Sequence, residues 1–338
     1  MINKDYDRIT LHPDDLRYEW REPARVRPNA VFSAAYEDLI DELRHNLTRK
    51  ADEPVPVYPF PYDWRLPLEI TVQQFAEFVQ EVVDRTKLLR HYEQTGSNEL
   101  PYSADPRVDL VGHSMGGLVI AGYLAAHRRD HLVGKVATLG TPFGGSYESP
   151  IKVLTGTASL GTLEPRSRER EAARITPALY HLLPQFRIRR DGQEEAAVID
   201  GQGNEVDLFQ AGNWQSGVLD TLAEFIRLYA VNPARSQRAR RTQATVLFQE
   251  MLDKAQQYLA PTRSANLLQN AGLSASSWLC IAGVDCDTRV RLCLHRGQKR
   301  FILSSADRIN EWEEDKDRHL TGDGTVPLPG AIPTFLRG

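Results

Sequence analysis

Residues 108–127 read VDLVGHSMGGLVIAGYLAAH: a short apolar run, a serine between Gly112 and Gly116, and a helix-forming stretch of Leu, Val, Ile and Ala. A serine hydroxyl is a weak nucleophile, useful only when it stands clear of its backbone and has a base to take its proton. A sharp strand-to-helix turn lifts it clear, and glycines two before and two after remove side chains that would collide there. Gly112, Ser114 and Gly116 have that spacing. The turn would also place Ser114 at the positive end of the next helix, with the backbone N–H of Met115 facing a developing oxyanion. The chemistry this implies is acyl transfer through a serine ester. His113, next to the serine, is expected to point away from the reacting oxygen and to be structural.

Such a serine needs a base held in turn by an acid, and in this architecture the chain order is serine, then Asp or Glu, then histidine. The acid should follow a late strand. GDGTVP at 322–327 supplies Asp323, where neighbouring glycines let the backbone bend and leave the carboxylate free to accept from an imidazole. An ordinary Asp-Gly turn is the alternative. Asp285 and Asp287, after SSWLCIAGV, are the next candidates.

The elements that must position these residues follow from periodicity. Residues 29–47 and 70–89 carry apolar side chains at helical spacing, and VPVYPF (55–60) reads as a short strand. Strand 107–112, helix 118–130 and strand 133–140 come next. Strands alternating with helices predict parallel crossover units, and therefore an α/β fold with a mostly parallel, doubly wound sheet. From 151 to 265 the pattern turns helical, as in 218–230 and 242–260, and that segment is expected to be a helical cap inserted into the core formed by 1–150 and 266–338. Strand character returns at 276–285 and 289–295.

Composition excludes several classes. Lys+Arg 41 against Asp+Glu 45 gives a net charge of −4, so no basic field is available to hold a nucleic-acid backbone. The charged runs at 164–174 and 235–241 read as solvated faces. No stretch approaches a spanning helix and the N-terminus lacks the apolar middle of a signal peptide, so the chain as written carries no address and reads as cytoplasmic or of unknown location. Cys280, Cys286 and Cys293 are an odd set without CxxC spacing, which predicts reduced core thiols rather than a disulfide framework or zinc site.

With these residues in hand, the chain resembles the lecithin:cholesterol acyltransferase family of α/β-hydrolases. The matching words are PYDWR (61–65), VGHSMGG (111–117), LGTPFGGS (139–146), TPALYHLLP (176–184) and GDGTVP (322–327), in family order. The resemblance implies a serine acyl enzyme acting on lipid esters, with Ser114 as nucleophile and Asp323 as acid. It implies no metal or organic cofactor, a lipid ester as partner, and a transient contact with a membrane surface. Within PYDWR, Tyr62 and Trp64 are expected to pack at the mouth of the sheet, while Asp63 and Arg65 pair with backbone or each other. Two family features are missing. No early strand ending in a Pro-Gly or His-Gly loop precedes PYDWR, and no histidine follows His319. His319, His295 and His181 each fit the base poorly, so the chain reads as lacking both ends of the usual domain. A non-catalytic binding protein on the hydrolase scaffold is the competing expectation.

Overall fold

The structure is a computed structural model that describes residues 30–93, 101–156, 167–190, 193–286, 288–297, 300–304 and 322–337. It divides into two compact units, one within Met1–Trp64, Ile70–Asp109 and Leu132–Gly134, the other within Arg65–Glu69, Leu110–His131 and Lys135–Gly338.

In the first unit, α1 (Ser33–Leu47) is followed by an extended stretch and then by α2 (Leu68–Lys87), which begins in the second unit's Arg65–Glu69 segment, and α3 (Arg90–Glu93). Val72, Phe75, Val79 and Val83 recur at helical spacing and form the buried face of α2. Phe60 packs 5.1 Å from Phe75 and 5.0 Å from Phe78, ring centre to ring centre. The strand expected at 55–60 does not form. Pro54, Pro56, Pro59 and Pro61 strip backbone donors from the segment, so it cannot sustain a ladder. It is tied down instead by side chains: Thr48 Oγ1 accepts from the Val55 N–H at 3.0 Å, and Arg44 donates to the Val57 carbonyl at 3.3 Å.

A sheet has the order β1 (Val108–His113), β2 (Val133–Leu139), β6 (Trp278–Ile281), of which β1 from Leu110, β2 from Lys135 and all of β6 belong to the second unit, with β2 and β6 parallel from Val136 opposite Trp278 to Leu139 opposite Ile281. Helix α4 (Met115–His127) leaves the end of β1. It is apolar around most of its circumference, as a helix covered on both sides must be. Leu118, Val119, Ile120, Ala121, Tyr123 and Leu124 are all buried.

Helices α5 (Glu148–Thr155) and α6 (Ser167–Arg174), a 3-10 turn at Pro177–Leu182, the hairpin of β3 (Arg187–Arg190) with β4 (Gln193–Ala196), and β5 (Val198–Asp200) follow. The long pair α7 (Ser216–Tyr229) and α8 (Gln237–Thr262) comes next, then α9 (Leu267–Ala271). On α8 the residues Ala244, Phe248, Leu252, Ala255 and Leu259 form one buried seam, and Phe248 meets Tyr180 and Trp214 edge to face at 5.5 and 5.6 Å. Leu222 and Ile226 of α7 belong to the same core. Tyr258 of α8 donates to the Leu118 carbonyl of α4 at 2.7 Å.

Strand β7 (Leu292–Gly297) forms where sequence expects one, but it pairs in parallel with β5 and in antiparallel with β8 (Arg300–Ser304), making a second sheet. The helical expectation for 151–265 therefore overlooks β3, β4 and β5. These strands have three or four residues each, too few to show a period of two. Tyr147 joins the pieces, its one hydroxyl proton shared between the carbonyls of Ala197 at 3.0 Å and Val290 at 2.5 Å. Cys280 is half-buried and Cys286 is exposed rather than in the core. Among the described residues no helix is long and apolar enough to cross a membrane.

Candidate active site

Strand β1 ends at His113, and the chain reverses into α4 through Ser114, whose φ of 52° and ψ of −125° are a conformation that side chains rarely adopt. The surroundings hold it there. The Ser114 N–H donates to the Leu139 carbonyl at the end of β2 at 2.8 Å, and the Ser114 carbonyl accepts from the Gly117 N–H at 3.1 Å. The Ser114 hydroxyl makes no hydrogen bond among the described residues and is half-buried. Met115 contributes the first N–H of α4, one that has no acceptor within the helix. His113 is exposed.

The glycines act differently from their spacing. A Cβ on Gly112 would lie 2.8 Å from Ile120 Cδ1 and 2.9 Å from the Gly117 nitrogen, so this position is closed to side chains, as expected. Gly116 is not: a Cβ there meets nothing within 4 Å. The steric demand falls on Gly117, where a Cβ would run into Thr141, 2.6 Å from Cγ2 and 2.8 Å from Cβ. The sequence pattern assigns the second elbow glycine one residue too early, because the colliding residue comes from the loop after β2.

Asp323 sits at the neighbouring strand ends although 41 positions separate it from Ala282, the first residue after β6. Gly322 and Gly324 take φ of 143° and 92° and let the chain fold back, with Gly322 bridged to Pro327. Asp323 Oδ1 accepts from the N–H groups of Thr325 at 2.9 Å and Val326 at 2.7 Å. The loop is fixed from outside as well. The Cys286 N–H donates to the Gly322 carbonyl at 3.1 Å, the Gly324 N–H to Thr288 Oγ1 at 2.7 Å, and Ser146 Oγ to the Thr325 carbonyl at 2.5 Å.

Asp323 Oδ2 therefore remains available, and it lies 3.1 Å from where a Cβ on Gly140 would stand. A Cβ on Gly283 would be 2.5 Å from Asp323 Cβ. Gly140 and Gly283 thus open the space that the carboxylate fills, a role that sequence reasoning missed. The phrases LGTP and AGVD carry the signal, a glycine where a strand ends. Ser114 bonds to Leu139 and Asp323 abuts Gly140, so one strand end brings the two candidates together.

The other candidates stand apart. Asp285 is exposed with a positive φ of 69°, and Asp287 lies outside the described residues. His319 also lies outside them; His295 is placed on β7 opposite Ile302, and its side chain is not among those described. His181 is buried, with Nδ1 3.2 Å from the Pro177 carbonyl, Nε2 3.4 Å from Glu69 Oε2, and its ring edge-on to Tyr258. Burial pushes the Glu69 carboxyl up, but His181, the backbone and Lys254 outweigh it and hold the group below its usual range. In PYDWR, Tyr62 is half-buried and stacked on Phe60 at 5.8 Å, and burial raises its phenol pKa. Trp64 is 48% exposed, contrary to its expected packing role.

A serine on a strained turn between a strand and a buried helix, beside a carboxylate at an adjacent strand end, belongs to the α/β-hydrolase fold. The fold is shared with a chain in the crystal structure of the Tle4–Tli4 complex, at a TM-score of 0.52 and 15% sequence identity over 82% of this chain. The match spans 59% of the length of that chain. None of the curated proteins matches the sequence. The family model described as lecithin:cholesterol acyltransferase matches residues 31–329, and the chain belongs to that family.

Proposed function

We propose that this chain carries out serine-dependent acyl transfer from a lipid ester to an alcohol or to water. Ser114 Oγ attacks the ester carbonyl carbon, and its proton passes to a histidine base. The carbonyl oxygen becomes an oxyanion that the Met115 N–H can meet at the positive end of α4. The base then protonates the departing alkoxide, leaving an acyl group on Ser114. In the second half the same base takes a proton from the acceptor hydroxyl, whose oxygen attacks the acyl carbon and releases Ser114. Asp323 orients that base through Oδ2, because Oδ1 is already committed to two backbone N–H groups.

The observation that carries this reading is the pairing of a strained Ser114 with a locked Asp323 on either side of the Leu139–Gly140 strand end. Residues 151–265 are proposed as the cap that receives the acyl chain. Leu222 and Ile226 are consumed by the core, which leaves the half-buried Phe225 of α7 with apolar surface to offer on that face.

The test is turnover of a short-chain chromogenic ester and of a phospholipid, with and without a long-chain alcohol acceptor. Ser114→Ala should reduce both rates to background with an unchanged melting temperature, since it removes one hydroxyl. A variant that keeps the parent rate overturns the proposal, and a parent that turns over neither ester leaves the scaffold as a binding protein.

A further inference from the structure

We propose that the tip of the α7–α8 hairpin is a docking surface for an anionic lipid membrane. The segment 227–241, RLYAVNPARSQRARR, holds five arginines, and no Asp or Glu occurs between Glu224 and Glu250. In a chain of net charge −4 this is a local reversal of sign. The same tip exposes apolar side chains: Leu228 is 53% exposed, Tyr229 45% and Val231 94%. Isolated exposed apolar residues are ordinary on protein surfaces, but three within four positions at the end of a helical hairpin gain nothing from folding.

The arginines divide into two groups. Arg227 pairs with Glu224, Arg241 with Asp220, and Arg240 donates to the carbonyls of Ala234 at 2.9 Å and Arg235 at 2.7 Å, bracing the turn. Arg235 and Arg238 are exposed and have no side-chain partner among the described residues. Arg238, Arg240 and Arg241 also sit in the first turns of a 26-residue helix, where the macrodipole disfavours cations. An anion held opposite the tip reverses that penalty.

Apolar side chains flanked by guanidinium groups match the boundary between headgroups and acyl chains. Val231, Leu228 and Tyr229 enter the boundary while Arg235 and Arg238 bind lipid phosphates, in two donors each where the geometry allows. A nucleic acid would engage the arginines and leave the apolar crown in water. The inference goes beyond the acyl-transfer reading, and binding is measured without turnover, so either can fail alone.

The experiment is flotation of the full chain with vesicles of phosphatidylcholine alone, or of phosphatidylcholine mixed with phosphatidylglycerol. Binding to the mixed vesicles and not to the neutral ones is expected. Arg235→Gln with Arg238→Gln should weaken binding about 25-fold, taking about fivefold for each arginine near an anionic surface. Val231→Asp should weaken it about tenfold or more, and Val231→Leu should not weaken it. The residues are exposed, so melting temperatures should match the parent, and a variant that melts early is replaced by the Val231→Ser form. Absence of binding to the anionic vesicles, or binding that survives both the arginine pair and Val231→Asp, overturns the proposal. So does binding insensitive to Val231→Asp but competed away by a DNA duplex, which would make the tip a polyanion site.

Discussion

Gly116 and Gly117 are adjacent, equally small, and both inside the first turn of α4, yet alanine at the two positions should have opposite effects. At Gly117 the added methyl group falls on Thr141, 2.6 Å from Cγ2, against an ordinary carbon–carbon contact of roughly 3.5–4.0 Å. Thr141 is buried and packed, so it cannot swing away. Overpacking of this kind costs about 1–3 kcal/mol, and the better helix propensity of alanine offsets up to about 1 kcal/mol. A net loss near 1–2 kcal/mol is expected. At Gly116 the methyl group meets nothing within 4 Å, so only the propensity gain remains and the variant should be as stable as the parent or slightly better. Urea unfolding followed by far-ultraviolet circular dichroism measures both. A second change refines the test. Thr141→Ala removes Cγ2 and the buried hydroxyl, which has no hydrogen-bond partner among the described residues, but leaves Cβ at 2.8 Å from the new methyl group, so it should rescue Gly117→Ala only in part. Equal losses at the two glycines, or no coupling between 117 and 141, would refute the packing argument for the elbow.

Three further outcomes follow from the structure. Asp323→Asn keeps an acceptor for the Thr325 and Val326 N–H groups but favours the wrong tautomer of the base, so turnover should fall on the order of ten-thousandfold, as in other triads, with the melting temperature retained. Tyr147→Phe strips the donor from the buried Val290 carbonyl, whereas the Ala197 carbonyl keeps the Leu292 N–H at 2.9 Å, and should cost about 1–3 kcal/mol in the same urea assay; a loss below a few tenths would show that the Val290 carbonyl finds another donor. Glu69 has a carboxyl pKa held below its usual value, so the stability it contributes is present above the unfolded pKa and is lost as pH falls through the lower folded value. The difference in melting temperature between the parent and Glu69→Gln should shrink on acidification below about pH 4, and a difference that grows instead contradicts the pairing with His181.

The elbow was legible because its signal is local: an apolar run, glycine spacing and a helix whose residues are apolar around most of its circumference. The strands β1, β2 and β6 and the helices α1, α2, α4, α7 and α8 follow from the same periodicities. Asp323 was legible as a loop residue, but not its address at the end of β6, which depends on Thr288, Cys286 and Ser146 reaching it from other segments. Gly117, Gly140 and Gly283 were missed for the same reason, since each is small to admit a neighbour distant in sequence. The absent strand at 55–60 was readable from its repeated prolines, whereas the short strands β3, β4 and β5 carry too few residues to announce a period. The sheet containing β7 was hidden because pairing partners are chosen by tertiary contact, which a strand-like run does not specify.

Covalent labelling of Ser114 tests the central claim most directly. A fluorophosphonate reacts with a serine whose oxygen is activated and correctly placed, and spares ordinary surface serines. The parent chain should gain one adduct, located by peptide mass spectrometry at Ser114, that is abolished by Ser114→Ala and strongly slowed by Asp323→Asn. A parent that stays unlabelled, or an adduct that persists at the same rate after Ser114→Ala, would contradict the assignment of Ser114 as the nucleophile.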